Sequence, residues 1–106
     1  MLDILIKDGL IVDGTGNPGY YGSVGVDGED VQILRGETVD IKAKRVLDAS
    51  GKVISPGFID MHAHSGLVML SNPEHEPKVR QGITTELIGV DGNSYAPFRN
   101  HKDFLK

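Results

Sequence analysis

The sequence predicts a mixed α/β chain in two parts: an all-β first half over residues 1–55 and the opening of an α/β domain over 56–106. Three observations predict it. Glycine is abundant, 14 of 106 residues, close to twice the average share of about 7%, and many glycines separate short apolar runs. The dipeptide Pro56-Gly57 then marks a change of pattern. After it come a strand-like stretch, a helix-compatible stretch and a second apolar stretch. That order is the sequence form of a βαβ unit and hence of a parallel strand pair.

Taken in order, residues 2–7 (Leu-Asp-Ile-Leu-Ile-Lys) read as a strand. It meets Asp8-Gly9, a favoured hairpin pair, and Leu10 to Val12 is the expected return. Ser23 to Val26 leads into Asp27-Gly28, and Val31 to Leu34 returns again. Arg45 to Leu47 and Lys52 to Ile54 flank a turn at Ala49-Ser50-Gly51. Short runs bounded by turn signals predict small antiparallel strands, with no helix before residue 56. Residues 58–64 (Phe-Ile-Asp-Met-His-Ala-His) form the next expected strand, and Ser65 to Asn72 a loop or irregular turn. Pro73 to Gln81 suits a short helix, with Pro77 admissible in its first turn and Gly82 as its stop. Residues 83–90 read as the second strand of the βαβ unit.

Composition excludes several classes. The formal charge of −4 argues against a nucleic-acid partner, for which a basic patch is expected. The absence of cysteine removes disulfides, thiolate zinc ligands and a cysteine nucleophile. The N-terminus lacks the basic-then-apolar pattern of a signal peptide. The longest apolar run, Leu67 to Leu70, falls far short of the roughly 18 residues that span a bilayer. No membrane association is expected, and the expected location is cytoplasmic.

One motif is discarded on physical grounds. Gly14-Thr15-Gly16-Asn17-Pro18-Gly19 matches the dinucleotide pattern G-x-G-x-x-G. That pattern works only if a helix opens inside it, so that the helix N-terminus meets the pyrophosphate. Here Pro18-Gly19 leads into Tyr20-Tyr21-Gly22 and another strand, so a plain glycine-rich connection is the reading.

Residues 58–64 carry the chemistry. In a strand alternate side chains share a face. Ile59, Met61 and Ala63 then form an apolar face suited to packing under a helix, while Phe58, Asp60, His62 and His64 share the other. Two imidazoles at i and i+2 projecting the same way can grip one metal ion, with Asp60 as a hydrogen-bonding partner behind them. A bare H-x-H is by itself a weak signal that also fits a solvated edge. Here it ends a strand and opens a βαβ unit, and catalytic groups of parallel α/β folds gather at the C-terminal ends of strands.

Pro56-Gly57-Phe58-Ile59-Asp60-Met61-His62-Ala63-His64 closely resembles the first-strand signature of the amidohydrolase superfamily. The Asp13-Gly14-Thr15-Gly16 loop and the Val46-Leu47-Asp48-Ala49-Ser50-Gly51 approach fit the same pattern. Gln81-Gly82-Ile83-Thr84-Thr85 and Gly89-Val90-Asp91-Gly92-Asn93-Ser94-Tyr95-Ala96-Pro97 resemble the second strand and following loop of the N-acyl-D-amino-acid deacylase (D-aminoacylase) branch. The resemblance runs over about residues 2–98. It implies that residues 1–55 are the N-terminal part of a small β-sandwich. Residues 56–106 would be the first strand, helix and second strand of an incomplete (β/α)₈ barrel, since a complete one needs at least about 200 residues.

The resemblance also implies a divalent metal, zinc first, with His62 and His64 as ligands. Asp91 falls where that branch has a cysteine ligand. A carboxylate oxygen is an ordinary zinc ligand and a harder donor than thiolate; Asp91-Gly92 is equally a common turn pair. No residue of the chain matches the catalytic Asp of the family. The implied reading is an N-terminal fragment of a hydrolase that cleaves the amide of small-molecule N-acyl-D-amino acids with a metal-activated water. The 106-residue chain alone is expected to be inactive. Two alternatives stay open: a branch acting on cyclic amides, and a non-catalytic β-rich module or split-enzyme subunit that self-associates through an exposed sheet edge. His75 and His101 are expected in solvated segments without a ligand role. Glu86 is expected either in a barrel interior or facing water, and Tyr20 and Tyr21 as packing residues of the β half.

Overall fold

The structure, a computed structural model, describes residues 1–36, 38 and 40–94. The chain divides into two units, Met1–Pro56 and Gly57–Lys106. The first holds five strands: β1 (Leu2–Ile11), β2 (Tyr20–Asp27), β3 (Asp30–Leu34), β4 (Ala43–Asp48) and β5 (Val53–Ile54). Sheet order is β3-β2-β1-β4, with β5 also on β1. No helix occurs among the described residues of this unit.

The Asp8-Gly9 hairpin does not form; β1 runs straight through it. Ile6 pairs with Val24 and Gly9 with Gly22, so β1 spends one residue more than β2 over this interval, which is a bulge. Asp8 takes the extra position with φ 61, a region that Asp tolerates better than most side chains. Its N–H donates to the Ser23 hydroxyl at 3.1 Å. The bulge has a packing consequence. Side chains alternate along a strand, so Ile6 and Ile11 would lie on opposite faces of a regular one. The added residue returns both to one face, where they line an apolar groove of about 440 Å³ with Val24, Val31, Ile33 and Ile54.

The antiparallel expectation holds for β1–β2 and β2–β3 but not for β4 and β5. Both run parallel to β1, with Ile4 beside Arg45 and Leu10 beside Val53. Parallel neighbours need a crossover of a dozen or more residues, and the β2–β3 hairpin lies inside that crossover. Residues 49–52 between them make the expected turn, with Lys52 N–H donating to Ala49 O at 2.8 Å and Gly51 at φ 71, but the turn does not reverse the chain into a hairpin. They step along β1 beside its bulge, with Ala49 N–H donating to Lys7 O at 2.8 Å and Leu10 N–H to Lys52 O at 2.9 Å. The β2–β3 hairpin forms as expected, turning through Gly28 at φ 60, the position where a type II′ turn places glycine. Among the described residues of this unit, Leu5, Ile11, Val24 and Ala49 are the large or aliphatic side chains that are buried, and Leu5 is 1% exposed. Tyr20 lies under the Arg35 guanidinium, 4.7 Å from the ring centre. Tyr21 is exposed and not a packing residue among those described. Residues 12–19 form no helix, in keeping with the discarded nucleotide motif.

The second unit contains β6 (Phe58–Asp60), α1 (Val68–Ser71), α2 (Glu76–Val79) and β7 (Ile83–Glu86). β6 and β7 pair in parallel, as the strand-helix-strand order predicts. Gly57 is required by close approach: a Cβ there would lie 2.8 Å from the Thr84 Cβ. Three expectations need correction. The strand 58–64 stops at Asp60, and 83–90 stops at Glu86. Of the loop or irregular turn expected over Ser65 to Asn72, Ser65–Leu67 is a 3₁₀ turn, and it runs into the short helix α1, which was not expected. Of the apolar face drawn through Ile59, Met61 and Ala63, only Ala63 is buried; Ile59 is exposed although it lies within β6, and Met61 follows the end of the strand. Among the described residues, no helix is long and apolar enough to cross a membrane. The unit is therefore a mixed α/β piece of short elements.

Candidate metal centre

From Asp60 onward the chain carrying the histidines is tied to the exit of β7 by two backbone bonds, one made by Asp60 itself. Leu87 N–H donates to Asp60 O at 2.8 Å, and Ala63 N–H to Leu87 O at 3.2 Å. Ala63 turns inward while its neighbours turn out, so His62 and His64 project to one side. Their rings stack with centroids 5.2 Å apart and planes at 14°, and their Nε2 atoms are 3.1 Å apart.

Asp91 arrives from the other strand's exit. It sits in a 3₁₀ turn, Val90–Gly92, with φ 53, so it is a turn residue as its Asp-Gly context predicts. That turn delivers its Oδ2 to 3.0 Å from His62 Nε2 and 2.9 Å from His64 Nε2. The two readings of Asp91 thus describe one geometry. All three side chains are exposed.

Tetrahedral zinc with ligand bonds of about 2.0–2.1 Å has ligand atoms about 3.3 Å from one another. The three separations here, 2.9–3.1 Å, are close to that edge length. Three lone-pair-bearing atoms facing one point fit a cation, and the exposed side leaves room for a further ligand. Asn93, for which the sequence offered no role, lies with Nδ2 3.3 Å from His64 Nδ1. Turned over, its amide offers oxygen to an Nδ1–H and leaves Nε2 free for metal.

Asp60 lies behind the pair, where its carboxylate accepts backbone and ammonium hydrogens instead of an imidazole hydrogen. Its Oδ1 accepts the His62 backbone N–H at 3.0 Å, and its Oδ2 accepts from Lys78 Nζ at 2.5 Å. Lys78 also lies 3.3 Å from Glu86 Oε1. Glu86, whose side chain is 7% exposed, faces neither open water nor the histidine pair. Its Oε2 accepts from the Ser65 hydroxyl at 2.5 Å and from His75 Nε2 at 3.1 Å. His75 is accordingly half-buried and paired, correcting the solvated expectation, but it stands apart from the three converging donors. The Lys78 ammonium holds the Asp60 carboxyl below the usual carboxylate range, and Asp60 raises Lys78 in return. The Ser65 hydroxyl holds Glu86 low against the burial that pushes it up. Lys78 and Ser65 escaped the sequence reading because a lysine in a short helix and a serine after a histidine carry no pattern. His101 and Tyr95-Ala96-Pro97 lie outside the described residues.

A profile of the Amidohydrolase family matches residues 45–103. The chain belongs to that family. It is 41% identical over 96 residues to an N-acyl-D-glutamate deacylase of Alcaligenes xylosoxydans xylosoxydans, covering 91% of this chain and 20% of the relative. Among solved structures it resembles an N-acyl-D-glutamate deacylase from Bordetella bronchiseptica bound to zinc and a phosphonate mimic of the tetrahedral intermediate. There the TM-score is 0.77 at 42% identity, over 83% of this chain and 18% of that one. A D-aminoacylase with a binuclear metal center superposes with a TM-score of 0.83 at 38% identity, over 94% of this chain and 21% of that one. This amidohydrolase chain therefore falls with the D-aminoacylase branch, and it spans about a fifth of the length of the relatives it matches.

Proposed function

We propose that this amidohydrolase chain carries the metal-binding corner of an enzyme that hydrolyses N-acyl-D-amino acids, with His62, His64 and Asp91 holding a divalent ion, zinc first. The observation that carries the reading is the convergence of two Nε2 atoms and one carboxylate oxygen within 3.1 Å of one another. The deacylase relatives and their metal-bound structures support it. When bound, a divalent ion supplies polarisation of the acyl carbonyl and a water acidified towards neutrality. The chain's own residues do the rest: the two imidazoles fix the position, Asp91 adds a negative charge opposite them, and Asn93 sets the His64 ring.

In this reading the β6–α2–β7 segment is the first βαβ unit of a (β/α)₈ barrel, with the histidines just past the C-terminal end of its first strand. The five-stranded sheet is one layer of a β-sandwich, and its open groove is the face another layer covers. The resemblance over 81–97 favours N-acyl-D-amino acids over cyclic amides. Self-association would use β3 or β4, which the sheet order leaves at its edges. Deacylation is proposed for the whole protein; the 106-residue chain by itself is expected to hold an ion without deacylating. Calorimetric titration with Zn²⁺ tests the site. One ion per chain, lost in His62→Ala, is expected; heat that survives His62→Ala unchanged contradicts it.

A further inference from the structure

We propose that Lys78 is a positioning residue for the metal site, acting through Asp60 and Glu86 as a clamp on both ends of the histidine segment. The proposal rests on the metal-site reading given above. The strand that should carry the histidines ends at Asp60, two residues before the first of them. A ladder would otherwise fix their backbone, and beyond Asp60 only the Ala63–Leu87 bond continues it among the described residues.

The side chains make up the difference. On the upstream end, Asp60 Oδ1 holds the His62 N–H at 3.0 Å. On the downstream end, Ser65, the residue after His64, donates its hydroxyl to Glu86 at 2.5 Å. The two carboxylates belong to paired residues of β6 and β7, Asp60 beside Glu86. One ammonium joins them, with Lys78 Nζ 2.5 Å from Asp60 and 3.3 Å from Glu86. All three side chains are a quarter exposed or less. Without Lys78, two carboxylates would face each other across the pair in a partly desolvated setting, and like charges so placed repel. Asp60 would then turn away and release His62. Partners that orient metal ligands in this way commonly alter metal affinity 10–100-fold when removed.

The test uses the 106-residue chain in two arms, with Lys78→Met, Lys78→Arg and, should Lys78→Met not fold, Asp60→Asn. Arg80→Met, which breaks the exposed Glu76–Arg80 pair of the same helix, is the control. In the metal-free chain, NMR amide exchange at His62 is expected to quicken about tenfold or more in Lys78→Met and to stay near wild type in Lys78→Arg and Arg80→Met. In the second arm, Co²⁺ affinity read from its visible spectrum is expected to fall about tenfold or more in Lys78→Met, as such partners do, with Lys78→Arg restoring it. Unchanged His62 exchange overturns the clamp. Faster exchange with unchanged Co²⁺ affinity overturns its role in metal binding. Wild-type chain that takes up no Co²⁺ at His62 overturns the metal-site reading itself, while the exchange arm still decides whether Lys78 holds the segment.

Discussion

The five-stranded sheet and the histidine-bearing unit hold their backbones in place by different means. In the sheet, β1 is flanked along its length by β2 on one side and β4 and β5 on the other, and Leu5, Ile11 and Val24 bury the apolar surface around it. Its ion pairs, Lys44 to Asp3 at 2.6 Å and Lys7 to Asp8 at 3.9 Å, lie at the surface, and such pairs contribute about 0–1 kcal/mol. The second unit has strands of three and four residues and relies on a partly buried set of charges, Asp60, Lys78 and Glu86 with Ser65 and His75 around them. The sheet is sensitive to apolar volume and indifferent to single charges. The site unit is sensitive to single charges, because removing one member strands the others with incomplete partners.

Substitutions in the two units should therefore have different consequences. The largest stability effect is expected from Leu5→Ala, at about 2–5 kcal/mol for a buried leucine, read as a fall in thermal midpoint with Zn²⁺ stoichiometry intact in whatever fraction remains folded. A loss of metal binding from folded Leu5→Ala would join what the comparison separates. Next comes Gly57→Ala, whose new Cβ meets Thr84. Overpacking of this kind costs about 1–3 kcal/mol, and Thr84→Ser in the same chain should recover part of it if the clash is the cause.

In the site unit, Asp91→Cys changes the donor and not the position. It is expected to keep one ion per chain while shifting preference towards Zn²⁺ over Mn²⁺, since thiolate is the softer donor; competition between the two ions measures it. The smallest effect is in acid. Ser65, His75 and Lys78 hold Glu86 below the ordinary carboxyl value. A group so depressed adds stability that is fully present above its unfolded value of about 4.3 and is lost as pH falls through the folded value. The midpoint of the site unit should therefore drop below about pH 4.3, and Glu86→Gln should flatten that drop. An unaltered acid limb in Glu86→Gln would remove Glu86 from the network.

Much of this was legible in the sequence for identifiable reasons. The β2–β3 hairpin and the parallel β6–β7 pair follow from turn residues and element order, which are local signals. The pairing of His62 with His64 followed from an i, i+2 spacing that survives even though the strand does not reach them. Four Asp-Gly pairs gave the same turn signal and folded four ways. Asp8-Gly9 is a bulge, Asp13-Gly14 opens a loop in which Asp13 accepts from Thr15, Asp27-Gly28 enters a hairpin, and Asp91-Gly92 is a 3₁₀ turn. Which form results depends on pairing partners far along the chain, and a dipeptide does not contain them. The parallel placement of β4 and β5 was illegible for the same reason. The Lys78 cluster was hidden because its members come from β6, the turn after the histidines, α2 and β7, and only the fold brings them together.

X-ray absorption of the Zn²⁺-loaded chain decides whether His62, His64 and Asp91 hold one ion together. Nitrogen and oxygen neighbours at about 2.0–2.2 Å, with outer scattering from two imidazoles that is reduced in His62→Ala, are expected. A shell of oxygens alone without imidazole scattering, or a spectrum unchanged by His62→Ala, would contradict the shared site.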